Sequence, residues 1–379
     1  MRLLRLFLAG DVMTGRGVDQ ILATPSDPIL HEYGTHDARN YVALAERVSG
    51  PIPRSVDNAY LWGDALPELA ARRPDLRIVN LETAVTTSAD AWPGKGIHYR
   101  MHPANIGCLK AAGLDCAVLA NNHVLDWGEG GLRESLAVLH SAGIATAGAG
   151  EDGVEAVRPT IFDMPGKGRV LLLGATMENA GTPRAWAARN GHPGVCLLSD
   201  FSSASVATIA ARVRTNRQPG DLVVLSVHWG ENWGYALEPG QQRFAHRLID
   251  EAGVDLIFGH SSHHVKGIEC HRGRLILHGC GDFVNDYEGI GGQEHYAPDL
   301  ALMFFVTVHC ADGDAGDAEQ HGRLADLTLV PLRRWRFKLV RASEADVKRL
   351  AQVLEREGRS LGTRVTHIAD GELRMACTE

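Results

Sequence analysis

The sequence predicts an α/β protein with layered sheet at its centre, and three observations carry that prediction. Short apolar runs recur along the chain, and segments of helical period separate them. Almost every run ends in a polar or glycine-rich turn, the pattern of buried strands alternating with helices. The runs are residues 3–9, 76–79, 116–119, 170–173, 222–227, 256–258 and 275–277, and the clearest helical segments are 131–142 and 241–252.

The first run, residues 3–9, is far shorter than the roughly 20 apolar residues a membrane span needs. No small-residue cleavage site follows it, as would follow the apolar stretch of a signal peptide. A cytoplasmic protein with no membrane partner is therefore expected. Residues 24–64, with Pro25, Pro28, Pro51 and Pro53, read as a long excursion over the active-site face. From residue 300 the runs lose their intervening helices: 301–308, 325–331 and 334–340 read as an antiparallel part of the same sandwich. The acidic, glycine-rich stretch 312–322 reads as a surface loop between two of these strands. Ser343 with Asp346 three residues on marks the start of a last helix over 344–357. No repeat or linker divides the chain, so residues 1–379 are read as one unit, with 300–358 included in it.

Lys and Arg total 38 against 46 Asp and Glu, a formal charge of −8. That balance excludes the basic footprint of a nucleic-acid binder. The 7 cysteines include no CxxC pair, and several lie in apolar runs, so reduced, buried thiols are expected.

The polar residues gather at the ends of the runs. The first run ends in Gly10-Asp11-Val12-Met13 and the second in Asn80-Leu81-Glu82. The third is followed by Asn121-Asn122-His123-Val124-Leu125-Asp126. Later runs lead into His228-Trp229-Gly230-Glu231, Gly259-His260-Ser261-Ser262-His263-His264 and His278-Gly279-Cys280-Gly281-Asp282-Phe283. A lone Asp or His after a strand is most often a cap or turn residue, and Asp11, Glu82 or Asp282 taken singly reads that way. Six such placements in one chain point instead to a metal centre. In an open α/β sheet the carboxyl ends of the strands share one crevice. Carboxylate and imidazole ligands there suit a divalent ion (Mn, Fe, Zn, Ca or Mg), with no organic cofactor.

Together these motifs resemble the capsule-biosynthesis CapA (poly-γ-glutamate synthesis) family, a branch of the calcineurin-like metallophosphoesterases, over residues 7 to about 305. The resemblance implies a four-layer αββα sandwich with metal at the strand ends. It implies Asp11 as the first metal aspartate, Glu82 in place of the bridging acid, and Asn122 as an amide ligand beside His123. His228, His260 and His263 match later metal histidines. Two departures stand out: Met13 occupies the position of a metal histidine, and the bridging motif is reduced to Asn80-Leu81-Glu82. Both weaken the expectation of phosphoester hydrolysis.

Within this family the chain looks most like the lasso-peptide epimerases, which invert the Cα of a C-terminal tryptophan in a ribosomally made precursor peptide. That resemblance implies a peptide substrate bound by its carboxyl end. A metal ion holding that carboxylate would stabilise the developing enolate. Two proton carriers are needed, and Asp11 and His295 are the candidates. His295 sits in the glycine-rich segment 289–296, with His123 as the alternative acid. Trp229, Trp233 and Tyr235 are candidates for packing against an aromatic substrate side chain. Hydrolysis of a phosphoester or amide bond of capsule type is the alternative reading. A non-catalytic metal-binding partner of a synthetase is the third.

Overall fold

Arg2–Val12 forms β1, an inner strand of a ten-stranded sheet in the computed structural model, which describes residues 1–311 and 319–378. Parallel neighbours extend the sheet from it in the order β2 (Leu76–Leu81), β3 (Cys116–Val118) and β4 (Ala145–Ala147). A seven-stranded second sheet contains β5 (Thr160–Met164), β6 (Gly168–Met177), β7 (Leu197–Leu198), β8 (Leu222–His228), β9 (Leu256–His260), β10 (Ile268–His271) and β11 (Arg274–Leu277). Its order is β7-β6-β8-β9-β11-β10, with β5 beside β6. The chain then returns to the first sheet. There β12 (Asp282–Val284) lies parallel to β1, and β13 (Leu300–Cys310) pairs antiparallel along it. β14 (Leu324–Trp335), β15 (Lys338–Arg341), β16 (Thr363–His367) and β17 (Leu373–Cys377) complete that edge.

The alternation of side chains along the strands sorts the apolar residues into three cores. Leu4, Leu6 and Leu8 of β1 meet Val170, Leu172, Val224, Leu256 and Phe258 between the sheets. The opposite face of the first sheet, with Phe7, Ala9, Val79 and Leu81, packs on α1 (Arg39–Ser49), α2 (Ala65–Arg72) and α3 (Gly128–Ser141). Leu171, Val223, Leu225 and Ile257 of the second sheet pack on α4 (Ser203–Asn216) and α5 (Gln241–Asp250). Each fully buried Leu or Phe in these cores contributes about 1.5–3 kcal/mol over an exposed one.

α6 (Glu344–Gly358) starts where the sequence places it. Ser343 and Asp346 form a reciprocal capping box there. The expected strand over 334–340 is two strands, because Arg336 and Phe337 both take positive φ (57° and 58°) and turn the chain between β14 and β15. The excursion over 24–64 is not all loop, since it contains α1. Of the expected loop at 312–322, residues 312–318 lie outside the described residues.

The cysteine expectation needs correction. Cys270 of β10 and Cys377 of β17 form a disulfide, while Cys108, Cys116, Cys196, Cys280 and Cys310 are free and buried. Because β10 and β17 belong to different sheets, the bond fastens the edge strand of the second sheet to the penultimate strand of the first. No described helix is long and apolar enough to cross a membrane.

Candidate metal centre

The centre starts from an irregularity in β1. Phe7 and Ala9 face the helices, but the pairing with β2 shifts register between Ala9 and Asp11, and beyond the shift Val12 faces the helices instead. The alternation is thereby reversed, and Asp11 turns to the side of the second sheet, where His260 Nδ1 lies 3.5 Å from its Oδ1. Gly10 is required at this point. A Cβ there would lie 1.7 Å from the Gly281 carbonyl oxygen, whose partner is the Asp11 N–H at 3.0 Å.

From β2, Asn80 and Glu82 share the face opposite Val79 and Leu81. Asn80 Nδ2 donates to Asp11 Oδ1 at 2.8 Å. Glu82 Oε1 lies 3.8 Å from both His123 Nε2 and His228 Nε2. His228 and His260 end the neighbouring strands β8 and β9 in register, with their rings nearly parallel and centroids 6.4 Å apart. From the first sheet, Asp282 of β12 stands in register beside Asp11. Its Oδ1 is 2.9 Å from His263 Nδ1, and its Oδ2 accepts from Asn285 at 2.7 Å.

Two groups of buried donors result: Asp11, Glu82 and His228, and Asp11, His263 and Asp282. Each has one ligand atom per residue within 4.8 Å of the others. Asp11 belongs to both. Glu82 Oε2, Asn122 Oδ1, His228 Nδ1 and His260 Nδ1 are buried with no hydrogen-bond partner. Leaving a buried polar atom unpaired costs about 1–3 kcal/mol, and the three on Glu82, His228 and His260 gathered in one cluster are what a cation site needs. These residues fit a divalent metal.

The electrostatics agree. Burial, reinforced by the Asp282 carboxylate, pushes Asp11 up to about 7. Burial and Asp11 hold Glu82 well above the usual carboxylate range. Burial pushes His260 down to about 3 and His228 well below the usual imidazole range, which keeps both rings neutral. Burial also lowers His263, but Asp282 more than offsets it and the net shift is upward. Crowded carboxylates that hold protons beside neutral imidazoles lack a positive charge.

His123 stands beside this cluster with a support of its own. Its Nδ1 lies 2.6 Å from Asp126 Oδ2 and 2.9 Å from Lys95 Nζ, and Lys95 also donates to Asp126 Oδ1 at 2.5 Å. The Tyr99 ring abuts it edge-on at 4.5 Å. Burial brings His123 down to about 4 against the pull of Asp126. Asn121 braces the cluster from behind: its Nδ2 donates to Asn80 Oδ1 at 3.0 Å, and its Oδ1 accepts from the N–H groups of His123 and Val124 and so sets their turn.

Asp11, Glu82, His123, His228, His260 and His263 are thus drawn to one place, whereas the Asn122 amide nitrogen lies by Gly181. His295 does not join them. It lies exposed on a one-turn 3-10 helix with its ring on Tyr296 at 3.8 Å, two rings removed from His263 through Trp233. Trp229 must be withdrawn as a substrate contact. It is buried in the core with Phe201 and Phe244, and its Nε1 donates to the His278 carbonyl at 2.9 Å. Trp233 and Tyr235 are half-buried at the rim, Trp233 against His263 and Tyr235 against His264.

Asp282 is among the strand-end residues that the sequence marks for metal, but the expected ligand set omits it. The sequence reading missed Lys95, and Arg16, a buried guanidinium paired with Asp286 at 2.6 Å and Glu32 at 3.1 Å that anchors the segment carrying Tyr287. Asp282 had a signal, since it closes the last histidine-containing strand end. Lys95 and Arg16 reach their partners only through the fold.

The family described as bacterial capsule synthesis protein PGA_cap matches residues 5–287. A probable polyglutamine synthesis accessory protein of Mycobacterium tuberculosis is 44% identical over 371 residues, 98% of this chain and 95% of the relative. The capsule biosynthesis protein CapA of Bacillus anthracis is 26% identical over 283 residues, 75% of this chain and 60% of its own. The PGA biosynthesis protein CapA of Bacillus subtilis is 27% identical over 278 residues, 73% and 62% respectively. The family's match takes in every member of the cluster from Asp11 to Asp282, and the chain belongs to the PGA_cap family of bacterial capsule synthesis proteins.

Proposed function

We propose that the chain is a metal-dependent hydrolase that cleaves an amide or phosphoester bond in poly-glutamate or related capsule material. One observation carries the reading: Asp11 is common to two groups of buried donors, with the His123–Asp126 pair beside them. Asp11, rather than Glu82, would then be the residue common to both ligand sets. Glu82 and His228 complete one set, and His263 and Asp282 the other. A bound divalent ion supplies Lewis-acid polarisation of a carbonyl or phosphoryl oxygen. His123, its Nδ1 directed at Asp126, presents Nε2 to the cluster and is placed to exchange a proton with a reacting group there. The αββα layering implied by the family resemblance is supported by the three cores and puts all these groups at one end of the strands.

The relatives' names support a polymer-related substrate. The word "accessory" in the mycobacterial one supports work beside a synthetase. A second reading, inversion at a C-terminal Cα, draws on the position of the Asp11 carboxyl at the centre of the cluster. Its intended partner His295 stands out on the surface, which weighs against it.

One experiment separates the readings. γ-Linked glutamate oligomers, α-linked oligomers and simple phosphoesters are incubated with Mn²⁺-loaded protein in D₂O and followed by mass. Shortened chains or free phosphate are expected, and His123→Asn should lower the rate by about 10²–10⁴ while keeping its metal. Deuterium at Cα without shortening would replace hydrolysis by epimerisation. Neither product would leave a metal-binding partner of a synthetase.

A further inference from the structure

Beside the metal cluster lies a cavity of about 300 Å³ to which neither the family nor the mechanism above assigns a role. Four of its wall residues touch the cluster itself. Asn285 donates to Asp282 Oδ2, Arg334 donates to the Asp282 carbonyl, and the rings of Trp233 and Tyr287 stand 5.3 and 5.2 Å from His263. The cavity and the cluster thus share a wall made of these four residues. The far wall is apolar and open to solvent: Val48, Ile290 and Trp335 line it and are 63%, 45% and 39% exposed. Large apolar side chains left in water around the mouth of a cavity mark a place where something binds.

The charges in the cavity are not equivalent. Arg333 is paired with Asp299 and Asp346, and Arg334 is taken up by two backbone carbonyls. Glu288 is engaged by Ser49 and by the backbone of Arg336 and Phe337. Arg349, at the exposed edge of α6, has among the described contacts one bond to the Glu294 carbonyl and no carboxylate partner. Glu294 also lines the cavity, its carboxylate accepting from the Gly292 N–H, so the outer end carries, next to the apolar walls, a guanidinium that no carboxylate pairs among the described residues.

We infer that this cavity is a subsite for an amide-linked acidic chain. Its short methylene segments would lie against Trp233, Ile290 and Trp335, and a pendant carboxylate would pair with Arg349. The substrate class rests on the hydrolase reading above. The volume is at the low end of small-molecule pockets, about 300–1,000 Å³. It therefore takes a residue or two and leaves the rest of a polymer outside.

The test uses the full chain carrying His123→Asn, so that turnover does not deplete the ligand. Binding of a γ-linked glutamate hexamer is followed by calorimetry with Mn²⁺ present, and an α-linked hexamer serves as the second arm. Arg349→Gln and, separately, Ile290→Asp should each weaken binding about tenfold or more, with metal content unchanged. Tighter binding of one hexamer names the linkage the subsite accepts. Unchanged affinity in both variants, or no binding of either hexamer to the parent, would overturn the subsite. The hydrolase reading fails separately. If the chain binds through Arg349 but cleaves nothing, the subsite stands and hydrolysis does not. Cleavage indifferent to Arg349→Gln leaves hydrolysis standing and the subsite refuted.

Discussion

At the scale of single residues, Asp11 sets the behaviour of the centre. In the metal-free protein its carboxyl holds a proton up to about pH 7 because of burial and Asp282, whereas an unfolded chain releases it near 3.8. The folded state therefore binds the extra proton between these values, and the contribution of Asp11 to stability falls as pH rises from about 4 to about 7. The buried histidines act in the opposite sense, so the effect is read as a difference. In chelator-treated protein, Asp11→Asn should gain melting temperature relative to the parent as pH rises through this window and hold it above 7. Added Mn²⁺ should reverse the order, because the variant loses a shared ligand. A difference that stays flat with pH would mean that Asp11 is ionised in the empty centre. His228 and His260 were legible in the sequence because each closes an apolar strand. Trp229 was misplaced although the same strand carried the signal. Alternation with period two turns His228 toward the first sheet and Val227 and Trp229 into the core on the helix side.

At the scale of elements, the centre depends on how closely two strands approach. The register shift that aims Asp11 needs β1 and the Gly281–Asp282 segment to touch at Gly10, a contact with no room for a side chain. Gly10→Ala should therefore destabilise the fold by several kcal/mol, on the order of an overpacked core site, and lower metal content in whatever folds. Gly130, exposed in α3 with open space where a methyl group would stand, is the contrast. Gly130→Ala should add about 1 kcal/mol through helix propensity and leave metal binding alone. Urea denaturation with elemental analysis measures both, and equal effects would remove the special status of Gly10. The strands β1, β2, β8, β9 and β11 were readable as apolar runs. α4 was not, because its Ser-, Ala- and Thr-rich sequence carries little periodic contrast. Nor could the sequence show that Asp282 stands beside Asp11, since that follows from a parallel pairing between segments about 270 residues apart.

At the scale of the whole molecule, two sheets must stay in register for ligands from both to meet. Asp11, Glu82 and Asp282 come from the first sheet, and His228, His260 and His263 from the second and the loop after it. Burial between the sheets supplies most of that cohesion, and the Cys270–Cys377 bond adds a covalent one across a sequence separation of 107. Cys377→Ser should lower the unfolding free energy by about 2–5 kcal/mol and abolish any response of stability to reductant. Chemical denaturation of parent and variant, each with and without dithiothreitol, checks both points. If reductant leaves the parent unchanged, the bond adds nothing to the fold.

That bond also has a thermodynamic counterpart. Whatever it contributes to holding the sheets together, the folded sheets must return as resistance of the bond to reduction, because the two processes form one closed cycle. Disulfides persist where thiols are oxidised and are rare where thioredoxin and glutathione keep them reduced. The surrounding redox poise therefore becomes an input to the metal centre: a compartment that opens Cys270–Cys377 loosens the sheet pair whose register brings the ligands together. The metal affinity of this chain is accordingly expected to depend on where in the cell it was folded.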